Sequence, residues 1–261
     1  MVEPSAQIRP YKPDDFKLVQ FVISKANMEQ LAVANNTAYR HPVILSIWIA
    51  LSSVFVQVMG WWPQPEQGYL AYLSPLPAFA CIALPIMFLI DWLNRPFFES
   101  QAQEVLKQPD LSDILEYYSR SPSSGFWLLE LGDRFIGLLA LDACHGSDST
   151  ESSPAKKSKQ KVKGTASTAT IRHFFVDEPY RPTNIQEDLL NHAVRFAFTA
   201  DRALQRIRIL DSPIKPYASS TIRSAGFQRD VESESKSVGV LRWSLAMYSL
   251  TRERWEARKG A

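Results

Sequence analysis

The stretch HFFVDEPYRPTNIQEDLLNHAVRFAF, His173 to Phe198, decides how this 261-residue chain folds. It opens inside ATIRHFFV (Ala169 to Val176), whose β-branched and aromatic residues predict a strand. It closes inside EDLLNHAVRFAFTAD (Glu187 to Asp201), where apolar residues recur at three and four and predict an amphipathic helix. Asp177 and Glu178 before Pro179 mark the turn between them. Downstream, RIRILD (Arg206 to Asp211) predicts a strand, Tyr217 to Ala225 a helix ended by Gly226, and GVLRWSLAMYSL (Gly239 to Leu250) a last strand. Upstream, GFWLLEL (Gly125 to Leu131), the turn Gly132 to Arg134 and FIGLLALDA (Phe135 to Ala143) predict a β-hairpin. A short helix over Leu111 to Tyr118, capped by Asp110 or Ser112, precedes it. Near the start, QIRPYK (Gln7 to Lys12) predicts a strand. Asp14 or Asp15 then caps a helix whose Phe16, Val19, Ile23 and Ala26 share one face. The order β-α-α-β-β-β-α-β-α-β mixes parallel with antiparallel neighbours, which predicts an α/β fold: a mixed sheet flanked by helices.

Two uncharged apolar stretches interrupt that order, Pro42 to Trp62 and Gly68 to Ile90. Each approaches the roughly 20 residues with which a helix crosses hydrocarbon, and the link between them, PQPEQ, is too short to be a domain. Trp61 and Trp62 end the first stretch while Tyr69 and Tyr72 open the second, the placement of an interfacial aromatic belt. The pair therefore predicts a transmembrane helical hairpin. Arg40 before it and Arg95 after it place both termini in the cytoplasm, and the Lys- and Arg-free link in the lumen. On that topology the sequon Asn35-Asn36-Thr37 never meets the glycosylation machinery. Met1 to Pro10 lacks the pattern of a cleavable signal peptide, so the first span directs insertion, with the endoplasmic reticulum as the expected membrane.

The division expected is residues 1–41 for the first strand and helix, 42–93 for the hairpin, 94–144 for a helix and strands, 145–167 for a Ser/Lys-rich loop and 168–261 for the remaining half. The loop, nearly free of apolar residues, is expected to be disordered. Its Lys156, Lys157, Lys159, Lys161 and Lys163 suit either a solvated tether or a contact with anionic head groups. The net charge of +2 gives no field that argues for nucleic acid. Cys81 and Cys144 form no disulfide framework, and the histidines at 41, 145, 173 and 192 show no ligand spacing. No metal site is expected.

The chain outside the hairpin and the loop resembles the GCN5-related N-acetyltransferases (GNAT). IRPYKPDD (Ile8 to Asp15) resembles their opening strand and turn, the stretch His173 to Phe198 their acyl-CoA motif, and KPYASSTIRSAGF (Lys215 to Phe227) the helix that follows. A hairpin after the first helix is similar to the arrangement in membrane-anchored N-acetyltransferases of the endoplasmic reticulum. The resemblance implies acetyl-CoA as cofactor, with Phe175, Val176, Arg181, Asn184, Ile185 and Gln186 as the residues that would bind it. In the family a segment R-x-x-G-x-G/A cradles the pyrophosphate on backbone N–H groups at a helix N-terminus. Arg181 matches that pattern, but Asn184 and Gln186 stand at its two glycine positions, and Glu187 and Asp188 add negative charge in the first turn. The family's tyrosine acid falls at Ile222, with Tyr217 nearby, and its helix-capping asparagine falls at Lys215.

Transfer to an amine needs a group that takes a proton near neutral pH, for which His173 and Asp177 are the candidates and Tyr217 the candidate acid. Two functions follow. One is a membrane-anchored N-acetyltransferase moving an acetyl or acyl group from CoA to an amine on the cytoplasmic face. The other is an inactive protein of the same fold, a chaperone in the endoplasmic reticulum that assembles or packages a polytopic client such as a phosphate transporter. For that reading, Ser46, Ser52, Ser53 and Gln57 offer polar groups to a client helix.

Overall fold

The computed structural model describes residues 5–63, 68–132, 134–144, 164–230, 236–239 and 241–259. Most of the predicted Ser/Lys-rich loop, residues 145–163, and most of the PQPEQ link lie outside them. The chain divides into two compact units. One comprises Met1–Ala26, Gln103–Ser237 and Trp243–Ala261, the other Asn27–Ala102 with Val238–Arg242.

The first unit is a twisted mixed sheet. Its strands are β1 (Ala6–Pro10), β2 (Gly125–Leu131), β3 (Arg134–Cys144), β4 (Thr165–Val176), β5 (Arg206–Asp211), β6 (Gln228–Arg229), β7 (Lys236–Val238) and β8 (Trp243–Thr251). They lie in the order β1-β2-β3-β4-β5-β8-β6, with β7 beside β8. β1–β2, β2–β3, β3–β4, β5–β8 and β6–β8 pair antiparallel, while β4 and β5 pair parallel. Between them runs helix α5 (Ile185–Ala200), the crossover a parallel pair requires. Alternation along β2 and β3 supplies two cores, one per face. Leu129, Leu139 and Leu141 pack with Leu189, Val194 and Phe198 of α5 and Ile222 of α6 (Pro216–Ser224). Leu128, Leu138 and Ala140 pack with Val19, Val22 and Ile23, and with Ile114 and Tyr118 of a short helix over Ile114–Tyr118. Each such large apolar side chain contributes roughly 1.5–3 kcal/mol through its burial.

The elements depart from the sequence reading where a side chain is claimed elsewhere. The short helix begins at Ile114 under Asp113, whose carboxylate accepts the Glu116 N–H at 3.0 Å. Pro109–Leu111 is a separate 3-10 turn. Asp110 cannot cap the helix because its carboxylate accepts hydrogen bonds from Tyr118 and His173 instead. Asp14 and Asp15 likewise belong to a 3-10 turn, Pro13–Asp15, where Asp15 accepts the Lys12 N–H and pairs with Arg9. The last strand starts at Trp243 rather than Gly239, since Gly239 (φ 70°) and Arg242 (φ 51°) turn the chain there. A C-terminal helix, Arg252–Lys259, was not foreseen.

The remaining helices, in chain order, are α1 (Phe16–Tyr39), α2 (Pro42–Met59) and α3 (Leu76–Leu106), with the short Ile114–Tyr118 helix as α4 and the C-terminal one as α7. The unit boundary falls within α1 and within α3. Both α2 and α3 are long and apolar enough to cross a membrane: each holds an 18-residue window of mean hydropathy 2.0. Only 11 % of each window is buried, whereas a core helix of a soluble protein is mostly buried. α2 ends at Gly60, whose φ of 64° is the left-handed cap glycine adopts without strain. Trp48 Nε1 donates to the Phe79 carbonyl at 2.9 Å, tying α2 to α3. The second apolar stretch, Gly68 to Ile90, and the second long helix differ in extent. Tyr69–Leu73 is a 3-10 segment, and α3, 31 residues long, continues past Ile90 to Leu106.

Asn35, the sequon residue, lies within α1 and is 7 % exposed. Its amide donates to Asp91 at 2.8 Å, and its carbonyl oxygen accepts from Asn94 at 2.9 Å.

Candidate active site

The site is built around the place where the parallel strands part. β4 and β5 pair from Thr168↔Arg206 to Ile171↔Ile209 and no further. β4 continues to Val176 along β3, where Gly137 faces Val176, so Arg172–Val176 line a notch on the β5 side. His173, Phe175 and Val176, all expected at the site, stand on this edge.

Beyond the notch the chain turns through a 3-10 segment, Glu178–Thr183, into α5. Asn184 joins them with φ 57° and ψ 18°. Asparagine therefore occupies a left-handed position where the family pattern has glycine, and it is one of the few residues that tolerates that conformation. Gln186, at the other glycine position, does not project in front of the helix. It is 4 % exposed, and its Nε2 donates to the Arg181 carbonyl at 3.2 Å. Glu187 accepts a hydrogen bond from Ser224 Oγ at 2.8 Å, joining the first turn of α5 to the end of α6. Ile185 packs on the core beneath. Arg181 Nε donates to the Val176 carbonyl at 2.8 Å, and its guanidinium lies 4.0 Å from the centroid of the Tyr217 ring. The same guanidinium is 5.8 Å from the Phe175 ring centroid. Arg181, Phe175, Val176 and Tyr217 thus form one cluster at the mouth of the notch. Ile222, by contrast, is fully buried in the core.

The other face of β4 carries a polar network. An extra residue in β4 shifts the register against β3, so that Ala140 pairs with His173 and Leu141 with Ile171. Such a bulge turns adjacent side chains to one face, and both Arg172 and His173 point toward α4. Arg172 Nε meets Asp142 Oδ2 at 3.0 Å, and Tyr117 OH donates to the same oxygen at 2.9 Å. His173 Nε2 lies 2.9 Å from Asp110 Oδ2, which also accepts from Tyr118 OH at 3.0 Å. Burial pushes the Asp110 carboxyl up, but the hydrogen bond to His173, with the charge of Arg172 and the hydrogen bond to Tyr118, holds it below the usual range. Burial pushes the Tyr117 phenol up to about 12 and the Tyr118 phenol well above its ordinary value.

His173 and Tyr217 consequently approach the notch from opposite faces of the sheet, the first beside α4 and the second on the α5–α6 core. Asp177 leaves β4 as an ion pair with Lys25 of α1, Nζ to Oδ1 at 2.7 Å. Sequence reasoning missed Asp110, Tyr118, Arg172 and Asp142. By sequence Asp110 fits a helix cap, and nothing in its spacing from His173 links the two. Among the described residues, no group of three His, Cys, Asp or Glu side chains is placed to hold a metal ion.

Residues 86–215, which contain β2 to β5, α5 and the whole loop between, match the model of the acetyltransferase (GNAT) family. The chain carries a GNAT acetyltransferase domain. Curated relatives of the domain match nearly end to end. Probable N-acetyltransferase family 8 member 5 of Mus musculus is 24 % identical over 237 residues, covering 91 % of this chain and 89 % of that protein. N-acetyltransferase 8 of the same organism is 25 % identical over 243 residues, covering 92 % and 90 %. Among solved structures, spermidine N-acetyltransferase from Vibrio cholerae, in complex with CoA and spermine, aligns over 96 % of this chain and 98 % of its own. Its TM-score is 0.46 and its identity 9 %.

Proposed function

We propose that the chain is a membrane-anchored N-acyltransferase, which transfers an acetyl group from acetyl-CoA to an amine at the cytoplasmic face of the endoplasmic reticulum membrane. The observation that carries this reading is the left-handed Asn184 between Arg181 and α5. It gives the loop the backbone turn that its sequence, with no glycine, left in doubt. The first N–H groups of a helix have no intrahelical acceptor, and they favour an anion despite the neighbouring carboxylates. One of those carboxylates, Glu187, is engaged with Ser224.

Arg181, Asn184, Ile185 and Gln186 hold the pyrophosphate end in this reading, and the β4 edge at Phe175 and Val176 aligns the thioester arm. The amine nitrogen attacks the thioester carbonyl carbon, the C–S bond breaks and the amide forms. His173 takes the proton from nitrogen on one face of the sheet, and Tyr217 supplies one to the departing thiolate on the other. Asp177, held in an ion pair with Lys25, takes no proton in this reading. Orientation of acceptor and donor at one notch supplies much of the rate.

Support for the anchor comes from the two apolar helices, exposed along most of their length. Topology is tested with Lys12→Cys and Gln67→Cys in sealed microsomes. A membrane-impermeant thiol reagent is expected to label the first and spare the second.

The activity is tested by the thermal stability of detergent-purified protein with acetyl-CoA, using Arg181→Ala as the control. A ligand that binds only the folded state stabilises it by about 2.7 kcal/mol at a hundred times its dissociation constant. The expected result is stabilisation that the variant loses. A folded protein unmoved by saturating acetyl-CoA and longer acyl-CoAs would refute the enzyme reading and favour a chaperone for a membrane-protein client.

A further inference from the structure

The polar network under β4 contains a carboxylate that packing does not explain. Asp110 is completely buried, and among the described residues its Oδ1 has no hydrogen-bond partner. Removing a carboxylate from water is costly, and leaving one of its oxygens unpaired adds to the cost. Nothing about the end of α3 or the start of α4 requires an acid there, since Asp113 caps α4. What Asp110 does engage, through Oδ2, is the histidine on the open edge of the notch and Tyr118.

We infer that Asp110 is a positioning residue that holds His173 in a single tautomer, with Nε2 protonated and Nδ1 as the proton acceptor. This rests on the acetyl-transfer reading above for its catalytic meaning. The chemistry of the donor set fixes the assignment. An ionised carboxylate only accepts hydrogen bonds, so at 2.9 Å the imidazole nitrogen facing it carries the proton. A neutral ring then has its lone pair on the other nitrogen. Tyr118 donates to the same Oδ2, so one oxygen orients both rings while α4 and β4 hold them rigidly. The charged and titratable groups around the pair are Tyr118 and Tyr117 on α4, Arg172 on β4 and Asp142 on β3. The His173 side chain is nearly enclosed, 9 % exposed, so the ring has little freedom to turn.

The test uses the full chain in detergent, with 15N-labelled histidine. Long-range 15N–1H correlations report which ring nitrogen bears the proton, and His173→Gln identifies the signal. The expected wild-type pattern is a protonated Nε2 and an unprotonated Nδ1. In Asp110→Asn that preference is lost, and in Asp110→Glu it is restored at least in part. The same variants are compared for acetyl-CoA stabilisation and for CoA release with a panel of primary amines. Both His173→Gln and Asp110→Asn should retain acetyl-CoA stabilisation and lose roughly 10²- to 10⁴-fold in transfer, the range of a general base.

Three results overturn the inference: an Nδ1–H tautomer in the wild type, a tautomer unchanged in Asp110→Asn, or full transfer by His173→Gln. A wild-type protein that ignores acyl-CoA and every amine sinks the acetyl-transfer reading and with it the catalytic role. The nitrogen spectrum still decides whether Asp110 sets the tautomer.

Discussion

Asn184 is where stability and cofactor binding meet, and the two effects of replacing it can be separated. Its φ of 57° and ψ of 18° put it in the left-handed region, and its side chain makes no capping hydrogen bond to α5. Comparing Asn184→Ala with Asn184→Gly therefore isolates the backbone. Alanine there brings Cβ against the following carbonyl oxygen at a cost of about 1–2 kcal/mol, and glycine escapes it. In a domain of this size each kcal/mol corresponds to about 2–4 °C, so the alanine variant should melt about 2–8 °C below the glycine variant. Asparagine should fall between them. Tryptophan fluorescence during a thermal scan in detergent measures the order, and a parallel scan with acetyl-CoA asks whether glycine binds at least as well as asparagine. An alanine variant as stable as the glycine variant would refute the reasoning, because it would mean the loop does not need a left-handed residue.

Other perturbations follow from the packing. Because the folded Asp110 carboxyl lies below its ordinary value of 3.8, it contributes stability that is fully present above its unfolded value and lost as pH falls through the folded one. Denaturation followed from pH 6 down through 3.8 and below should show that loss, and Asp110→Asn should flatten it. Gly137→Ala would set a Cβ 2.9 Å from the Phe175 carbonyl oxygen and 3.1 Å from Val176 Cγ2, against paired backbone that cannot retreat. It should destabilise by about 1–3 kcal/mol and impair acetyl-CoA binding, checked by melting with and without ligand. Lys25→Ala, which breaks a partly exposed ion pair with Asp177, should cost less than about 1 kcal/mol in the same melts; a larger loss would mean that the pair closes the end of β4.

The strand–loop–helix at His173 to Phe198 was readable because its periodicities are local: alternation within β4 and three–four spacing within α5. The two long apolar helices were equally plain, while the continuation of the second through Asp91 and Arg95 was not, because charged residues follow the apolar run on the same helix. The polar network was not readable. Strict alternation would send Arg172 and His173 to opposite faces, whereas the bulge against β3 sends both to one. Asp110 and Ser112 looked like helix caps because capping is the commonest use of such residues, until a tyrosine and a histidine from elsewhere claimed the first of them. The degenerate glycine positions pointed toward a lost cofactor site. A dihedral angle at Asn184 and the inward turn of Gln186 weigh against that reading, and neither is a property of sequence spacing.

By itself, then, the sequence determined the kinds and order of the main elements, the interruption by two apolar segments, and the resemblance of the acyl-CoA motif. Each of these rests on hydrophobic periodicity or on residues adjacent in the chain. Only the tertiary structure decided where β4 parts from β5, which face His173 takes, and that Asp110, remote in sequence, shares a hydrogen bond with it. Those are outcomes of strand register and burial. They are settled by which pairing satisfies the most backbone groups and buries both cores at once, a competition among distant parts of the chain.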